Sequence, residues 1–393
     1  MKRPRVAILF DFEEEKWPSM QLVGEMLVKH LGSGYSDAWS VSSVCPPMRF
    51  RFARAPLVAD LGFKLDRVVN RFWDYPRSVR RRRRDFDVFH VVDHSYAQLV
   101  HELPANRTIV SCHDLDAFRC LLEPERLRYS MLLKAMAKRT LTGLRKAARV
   151  ACDSAATRDD LVARGLVAAN RVVVIPNGVH PSCSPDHDPT AESEATRLLG
   201  AGGGNAIEIL HVGSTVKRKR IDVLLRVFAS VRKDFPLARL VRVGGSFTSD
   251  QLKLIERLGI GEFVVVLPFL DRRVLAAVYR RAALALQPSE REGFGLPVIE
   301  AMACGTPVVA SDLPVLRETG GHVATYCPVG DVRAWSASVI KMLYGRRDDP
   351  DRWSARRLAG IAHASKFSWA AYTNQVVALY HELLDSSLEG DLG

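Results

Sequence analysis

Residues 290–312 read Glu-Arg-Glu-Gly-Phe-Gly-Leu-Pro-Val-Ile-Glu-Ala-Met-Ala-Cys-Gly-Thr-Pro-Val-Val-Ala-Ser-Asp. The pattern predicts a glycine-rich loop, a helix, a turn and a short buried strand at Val308–Ala310. Pro297 suits the first turn of the helix, where its missing N–H would have had no partner. Gly305 suits the residue just past the helix end, and Pro307 prevents the helix from continuing.

The start of this helix predicts an anion site. Gly293 and Gly295 let the backbone approach a ligand closely. A helix that follows such a loop offers unpaired N–H groups and the positive end of a dipole. Glu292 and Glu300 bracket this site, and carboxylates there suit the hydroxyl groups of a sugar better than a phosphate. The alternative is a helix start whose two acids only complement the dipole.

The whole stretch resembles the signature of retaining, nucleotide-sugar-dependent glycosyltransferases of family four, the glycosyltransferase group 1 type. The runs Glu-Gly-Phe-Gly-Leu-Pro, Glu-Ala-Met-Ala and Gly-Thr-Pro-Val-Val carry the resemblance. It implies an α/β fold of GT-B architecture, with two Rossmann-like, doubly wound domains facing an interdomain cleft. The alternation of strand and helix patterns along the chain favours the same fold.

The composition is that of a globular protein with two or three domains. Of its 393 residues, 47% are hydrophobic and 25% are charged. No apolar run approaches the roughly 20 residues that a membrane span needs. Met1–Phe10 predicts a first strand rather than a signal peptide. Seven cysteines without metal-type spacing predict reduced thiols. Together these features predict a cytoplasmic location.

The net charge of +12 predicts an anionic partner. The charge is concentrated in residues 46–84 and in a helix predicted over Leu127–Ala148. The basic residues of the first segment are Arg49, Arg51, Arg54, Lys64, Arg67, Arg71, Arg77 and Arg80–Arg84, and its aromatic residues are Phe52, Phe63, Phe72, Trp73 and Tyr75.

This segment is either solvated charge or a peripheral contact with an anionic membrane surface, at the inner face of the membrane. In the second case Phe72, Trp73 and Tyr75 lie at the headgroup boundary. A lipid-linked acceptor and a soluble anionic acceptor both fit.

Residues 1–180 predict a Rossmann-like domain on the acceptor side. Its predicted strands are Arg5–Phe10, Asp87–Val92, Thr108–Cys112, Arg149–Cys152 and Arg171–Ile175. The loop Asp11–Trp17 stands where the family carries a glycine pair, so phosphate binding is not carried over to it. Glu13, Glu14 and Glu15 predict a solvated acidic face, or a contact with an acceptor.

Polar side chains follow two of these strands. Asp93 and His94 come after the second, and His113 and Asp114 after the third. Ligands lie beyond the carboxyl ends of strands in open α/β sheets. The resemblance implies that His113 faces the donor sugar and is catalytic, and a purely structural histidine is the alternative. Asp93, His94 and Asp114 are candidates on the acceptor side.

The rest of the chain predicts a linker and a second domain. Residues 181–206 are rich in Pro, Ser, Asp and Gly, and they predict the linker. Residues 207–366 predict a Rossmann-like domain that binds the nucleotide sugar. The resemblance implies that 367–393 form a helix crossing back to the first domain. The predicted strands of the second domain are Glu208–Val212, Leu240–Val243, Phe263–Leu267 and Ala282–Gln287, and a helix is predicted over Ile221–Asp234.

The resemblance implies a donor site in the second domain. Gly213 and Lys219 match the family's diphosphate-binding pattern. Its arginine position is Ser214 here, and Arg218 is the candidate replacement. Phe269 marks the place where the backbone receives the base. The implied donor-binding residues are Gly213, Arg218, Lys219, Phe269, Glu292, Gly293, Phe294, Gly295, Leu296 and Glu300.

The predicted reaction moves a hexose from a nucleotide sugar (UDP-, GDP- or other) to a hydroxyl of a sugar or lipid-linked acceptor, with retention. Polysaccharide or glycolipid biosynthesis at the cell surface is the expected setting. His113, Lys219 and Glu292 are the catalytic candidates; Glu292 would hold donor-sugar hydroxyls and Glu300 those of the ribose.

Cations and helix N–H groups are expected to stabilise the diphosphate leaving group, so no metal or other cofactor is expected. One alternative is a sugar-nucleotide epimerase of the same fold. The other is a basic nucleic-acid-binding protein without catalysis, for which no helix-turn-helix, zinc or aromatic RNA signature is present.

Overall fold

The computed structural model describes residues 3–53, 59–125, 129–200 and 206–390. The chain divides into two compact units, one of Met1–Gly178 with Trp369–Gly393 and the other of Val179–Ser368. Each unit contains a six-stranded sheet in which the paired strands are parallel. The predicted α/β class with two Rossmann-like, doubly wound domains is confirmed.

The first unit's sheet has the order β2-β1-β3-β4-β5-β6. Its strands are β1 (Arg5–Leu9), β2 (Ser40–Val44), β3 (Val88–Val91), β4 (Thr108–Cys112), β5 (Arg149–Cys152) and β6 (Val172–Val174). Its helices before the second unit are α1 (Pro18–Gly34), α2 (Ala59–Val69), α3 (Tyr75–Arg82), α4 (Arg119–Leu122), α5 (Met131–Lys146) and α6 (Ala155–Ala163). Strands β3 and β4 are buried along their whole length, as expected for parallel strands covered on both faces.

The second unit's sheet has the order β12-β11-β10-β7-β8-β9. Its strands are β7 (Ile207–Val212), β8 (Ala238–Val243), β9 (Val264–Leu267), β10 (Leu284–Gln287), β11 (Val308–Ser311) and β12 (Thr325–Cys327). Its helices are α7 (Pro189–Leu199), α8 (Ile221–Asp234), α9 (Ser249–Leu258), α10 (Arg272–Arg281), α11 (Leu296–Ala303), α12 (Pro314–Gly320), α13 (Val332–Asp348) and α14 (Pro350–Ala364).

The last helix, α15 (Trp369–Gly390), belongs to the first unit. The Tyr35 hydroxyl donates to Asn374 Oδ1 at 2.7 Å and joins α15 to the end of α1. The Tyr380 hydroxyl lies 2.8 Å from His90 Nδ1 beneath β3. The first contact is exposed and the second is buried, and together they attach the end of the chain to α1 and to β3. None of the helices in the described ranges is both long and apolar enough to cross a membrane.

The linker predicted over 181–206 is wrong for most of its described length. Asp188 caps α7 by accepting a hydrogen bond from the Ala191 N–H at 3.1 Å, and Pro189 occupies the first turn. Glu192 pairs with Arg280 of α10 at 3.2 Å. The Asp and Pro that suggested a linker are therefore helix-start residues. Residues 201–205 lie outside the described ranges.

The helix predicted over Leu127–Ala148 begins later. Ser130 caps α5 by accepting from the Leu133 N–H at 3.2 Å. Residues 126–128, where the prediction began, are outside the described part of the chain, as is Arg54 of the basic segment.

Two predictions about the first unit's surface are also wrong. Tyr75 is fully buried, and its hydroxyl lies 2.6 Å from the Val44 carbonyl, so it cannot contact a headgroup. The Glu15 side chain is 1% exposed rather than solvated. Arg67 and Arg71, one helical turn apart, reach its carboxylate at 3.1 and 3.3 Å. Pairing with these two arginines offsets the cost of burying the Glu15 carboxylate.

Candidate functional site

The second sheet brings two loops together at one edge. The strands after β7 continue to one side of the sheet and those after β10 to the other. The loops that follow β7 and β10 therefore start side by side and leave a crevice between them. Ligands bind in the crevice at such a reversal of strand order in doubly wound sheets. Gly213 follows β7, and residues 288–295 follow β10 and lead into α11. Most of the predicted donor residues therefore surround this crevice.

Glu292 is the centre of the hydrogen bonds in the crevice. Its Oε1 accepts from Lys219 Nζ at 2.6 Å. The same oxygen accepts from Gln287 Nε2 at 2.5 Å and Ser289 Oγ at 2.7 Å. Its Oε2 accepts from Arg218 Nη1 at 3.3 Å. The structure thus brings Arg218, Lys219 and Glu292 into direct contact.

The Glu292 carboxylate is ionised at neutral pH. Burial by itself raises its pKa, but the charges of Lys219 and Arg218 outweigh burial and lower the pKa to about 2. Two cations and one carboxylate leave one net positive charge in the crevice. A carboxylate that accepts four hydrogen bonds is a weak nucleophile, and it is suited to fixing the positions of its cations.

The backbone around Lys219 is unusually tight. Lys217–Lys219 form a single 3₁₀ turn, and Arg220 then adopts φ 48°, ψ 49°. A left-handed conformation costs a non-glycine residue on the order of 1 kcal/mol. The Arg220 guanidinium is held by Asp222 in a two-bond contact at 2.8 and 3.0 Å. This contact secures the turn that points Lys219 at Glu292.

Helix α11 begins against closely packed neighbours. Gly295 lies at its start with φ 95°. A Cβ added there would lie 2.6 Å from Leu316 Cδ2, so both the conformation and the space require glycine. Gly293 and Phe294 are buried beside it, and Leu296 is the first helical residue. The N-terminus of α11 is therefore fixed at the crevice, as the sequence predicts.

Glu300 lies one turn further along α11. It is 5% exposed, and its Oε2 accepts from the Tyr279 hydroxyl at 3.1 Å. Burial raises the pKa of Glu300, while Arg272 and Tyr279 oppose that rise. Phe269 is 56% exposed beyond the end of β9. The contacts of these two residues with a nucleotide stay predictions.

The first unit has a polar cluster at the reversal of its own sheet. The order reverses between β1 and β3, and Asp11 and Asp93 follow these strands. Both are buried. The pKa of Asp11 is raised to about 8, first by burial and then by the charge of Asp93. Its Oδ2 has no hydrogen-bond partner among the described residues.

His113 is tied into this cluster at both ring nitrogens. Nδ1 lies 2.6 Å from Asp153 Oδ2, and Nε2 lies 2.7 Å from the Val92 carbonyl. Burial lowers the pKa of His113, but the Asp153 carboxylate outweighs it and raises the pKa to about 10. Both nitrogens therefore donate. A side-chain bond from His113 to a sugar would require one of these bonds to break.

The acceptor-side candidates surround His94. Its Nδ1 lies 3.3 Å from Asp93 Oδ1, and its Nε2 lies 3.5 Å from Asp114 Oδ1. Asp93 also accepts from the Ser95 N–H at 2.7 Å. Asp93, His94 and Asp114 are thus adjacent, and their role on the acceptor side stays a prediction. Within the described ranges, no three His, Cys, Asp or Glu side chains are placed to hold a metal ion.

Two family models match the chain on either side of its midpoint. "Glycosyl transferases group 1" matches residues 203–357, and "Glycosyltransferase Family 4" matches residues 24–182. This chain belongs to the group 1, family 4 glycosyltransferases. The first model covers the crevice of Glu292, and the second covers Asp93, His113 and Asp153 but not Asp11.

Curated relatives of this chain include sugar transferases with different names. It is 37% identical over 187 residues to a D-inositol 3-phosphate glycosyltransferase of Segniliparus rotundus, covering 45% of this chain and 40% of the relative. It is 29% identical over 284 residues to the O-antigen chain mannosyltransferase B of Escherichia coli, covering 70% of each. The chain spans about half the length of the first curated relatives it matches.

A solved structure confirms the predicted GT-B architecture of this chain. The Anabaena protein HepE, crystallised with UDP and glucose, superposes with a TM-score of 0.73. The two share 16% sequence identity, and the match covers 97% of this chain and 100% of HepE. At this identity the likeness shows the fold alone.

Sequence reasoning missed several residues around the crevice of the second unit. Gln287 and Ser289 immediately precede the signature, and their closeness to Glu292 in sequence was a usable signal. Tyr279 lies on another helix, and no sequence pattern linked it to Glu300. Arg242 was detectable, because it is a charged residue inside the apolar strand pattern Leu240–Val243.

Proposed function

We propose that this protein transfers a hexose from a nucleoside diphosphate sugar to a hydroxyl of an acceptor, with retention at the anomeric carbon. The contact of Arg218 and Lys219 with Glu292, at the strand-order reversal and beside the start of α11, carries this proposal. The UDP bound by HepE and the mannosyl transfer named for the Escherichia coli relative support it.

In this proposal the second unit binds the donor. The diphosphate occupies the crevice at the Gly213 turn, and Lys219 and Arg218 stabilise its growing negative charge as the sugar leaves. The proposal assigns this charge neutralisation to the side chains and the α11 N–H groups rather than to a metal. Glu292 keeps both cations in place and accepts hydrogen bonds from the donor sugar. Glu300 accepts from the ribose.

Retention follows from a same-face displacement. Glu292 is held by four donors, so it is poorly suited to form a covalent sugar intermediate. The departing phosphate oxygen instead takes the proton of the attacking hydroxyl. The acceptor then approaches on the side from which the diphosphate leaves.

The first unit supplies the groups that bind the acceptor substrate. Asp11, whose buried Oδ2 has no partner within the described part of the chain, and Asp93 follow the two strands at its own strand-order reversal. Arg80–Arg84 are all exposed, and Met131–Leu133 are exposed at the start of the basic helix α5. We assign these surfaces to an anionic membrane and a lipid-linked acceptor on its cytoplasmic face. The setting is the biosynthesis of a cell-surface polysaccharide or glycolipid.

The test is a donor screen followed by product analysis. UDP-, GDP-, dTDP- and ADP-hexoses are ranked by thermal shift, because a ligand that binds only the folded state raises its stability. The best donor is then incubated with membrane lipid extract as the acceptor source. Release of the nucleoside diphosphate only with acceptor, and a product with the donor's anomeric configuration, are expected. Conversion of the donor into another nucleotide sugar without release would contradict transfer.

A further inference from the structure

Arg242 is a fully buried cation in the middle of the second unit's sheet. It lies on β8, between β7 and β9, and its exposed fraction is 0%. Arginine is seldom buried in this way unless a carboxylate pairs with it. No carboxylate of the described residues forms an ion pair with Arg242. Burial alone lowers its pKa to about 10, so it stays charged at neutral pH.

The guanidinium donates hydrogen bonds to the carbonyls of glycine residues at the ends of two strands. Nη2 donates to the Gly213 carbonyl at 2.9 Å and to the Gly244 carbonyl at 3.3 Å. Nη1 donates to the Gly245 carbonyl. Gly213 follows β7 and Gly244 follows β8, so one side chain fixes both turns. The turns also touch, because a Cβ on Gly244 would lie 2.2 Å from the Gly213 oxygen.

Holding these carbonyls fixes where the next N–H groups point. In a trans peptide the C=O and the following N–H point in opposite directions. The Gly213 and Gly245 carbonyls face Arg242, so the N–H groups of Ser214 and Ser246 face away from it. Neither N–H has a hydrogen-bond partner among the described residues. Oriented N–H groups of this kind bind anions.

The same turn lies against the crevice described above. A Cβ on Gly213 would be 3.7 Å from Lys219 Cε. His211, which pairs with Arg242 across β7 and β8, is also buried. Burial first, and then the charges of Arg242 and Lys219, lower the pKa of His211 to about 3, so it adds no charge. Arg242 is thus the positive charge behind the Gly213 turn, while Lys219 lies beside it.

We propose that Arg242 is a positioning residue for the donor diphosphate, which orients the Ser214 and Ser246 N–H groups toward it and supports them with a buried charge. This inference rests on the proposed function, because it requires that a nucleoside diphosphate binds at the Gly213 turn. It assigns the ligand's phosphates, and not its base or sugar, to Arg242.

The experiment compares ligands that differ only in phosphate number. Calorimetric titration of uridine, UMP and UDP (or the guanosine series, if the wild type prefers it) is made with wild type, Arg242→Met and Arg242→Lys. Arg242→Met is expected to weaken diphosphate binding at least tenfold and nucleoside binding less than threefold. Arg242→Lys, which keeps the charge, is expected to lie between. Arg239→Met, on the same strand and bonded to the Leu199 carbonyl, is the matched control.

Each outcome has a distinct meaning. Equal losses for all three ligands, or none, would reduce Arg242 to a structural residue and overturn the proposal while the proposed function stands. If the wild type binds no nucleoside diphosphate, both fail. If Arg242→Met does not fold, Ser214→Pro decides, since it removes one oriented N–H outside the core. In Ser214→Pro, a loss of affinity that is larger for the diphosphate than for the nucleoside supports the proposal. An unchanged ratio of these two affinities overturns it.

Discussion

Glu292 sets the charge balance of the second unit's crevice, and it makes the free energy of unfolding depend on pH in the acid range. Its pKa is lowered in the folded protein from 4.5 to about 2. The ionised form therefore stabilises the fold above pH 4.5, and this stabilisation is lost as the pH falls toward 2. A shift of this size is worth about 3 kcal/mol.

Glu292→Gln is expected to remove that dependence. Urea unfolding of the wild type between about pH 5 and pH 3 should show a steep loss of the free energy of unfolding, and the variant a flatter one. Turnover of Glu292→Gln is expected to fall on the order of 100-fold, because Lys219 and Arg218 lose the group that holds them. Glu290→Gln in the same loop is the control for turnover. If the free energies of unfolding of the wild type and Glu292→Gln fall in parallel with pH, the two cations do not hold Glu292 in its ionised form.

Glu300 gives a sharper test at the level of one hydroxyl group. If its carboxylate accepts from the ribose, the wild type binds a nucleoside diphosphate more tightly than its 2′-deoxy form. Glu300→Gln is expected to reduce that preference by roughly tenfold, since an amide NH2 replaces one of the two carboxyl oxygens. Tyr279→Phe removes the neighbouring hydroxyl and is the matched control. An unchanged preference in Glu300→Gln would remove the ribose role.

At the scale of secondary structure, Gly295 determines how α11 begins. Gly295→Ala is expected to destabilise the protein by about 1–3 kcal/mol, because of φ 95° and the contact with Leu316. Donor affinity should fall as well, since the helix N-terminus moves. Gly32→Ala is the control: it is helical with open space around it, so a small gain of about 0.5–1 kcal/mol is expected. Denaturant melts of both variants measure this, and equal effects would contradict the packing argument.

The elements that the sequence predicts well have strong local signals. Thr108–Cys112 and Ile221–Asp234 match the observed β4 and α8 because apolar runs with clear ends decide them. The sequence of α7 predicts a linker, because Asp188 and Pro189 are as common in loops as at the start of a helix. Composition could not distinguish the two, since packing of α7 against α10 decides the outcome.

The candidate site also contains some residues that local motifs predict and some contacts that they do not. Gly293, Glu292 and Lys219 could be predicted as donor-site candidates because they lie in continuous motifs, and the structure shows Lys219 in contact with Glu292. The ring partners of His113 are Val92, just after β3, and Asp153, just after β5. Asn177, in the turn after β6, donates to Asp153 at 2.8 Å. Such contacts depend on strand order. His113 as a contact to the donor sugar stays a prediction, and turnover of His113→Ala at the wild-type rate would make it structural.

At the scale of the whole molecule, the positive charge of the first unit predicts binding to anionic vesicles. Each engaged Lys or Arg contributes on the order of 1 kcal/mol. Replacing Arg80–Arg84 with Ser is expected to abolish co-sedimentation at low salt, and wild-type binding is expected to weaken at high salt. The control replaces five exposed arginines of the second unit: Arg257, Arg333, Arg346, Arg347 and Arg352. Equal pelleting of the two variants would assign the charge to solubility.

The central claim is that the second unit binds a nucleoside diphosphate sugar through Lys219 beside Glu292. Calorimetric titration of the preferred nucleotide sugar into wild type, Lys219→Met and Lys233→Met tests it most directly. Lys233 is an exposed lysine of α8 and serves as the control. Binding by the wild type and Lys233→Met, with at least a tenfold loss in Lys219→Met, is the predicted result. Equal affinities in all three proteins, or no binding of any nucleotide sugar by the wild type, would contradict it.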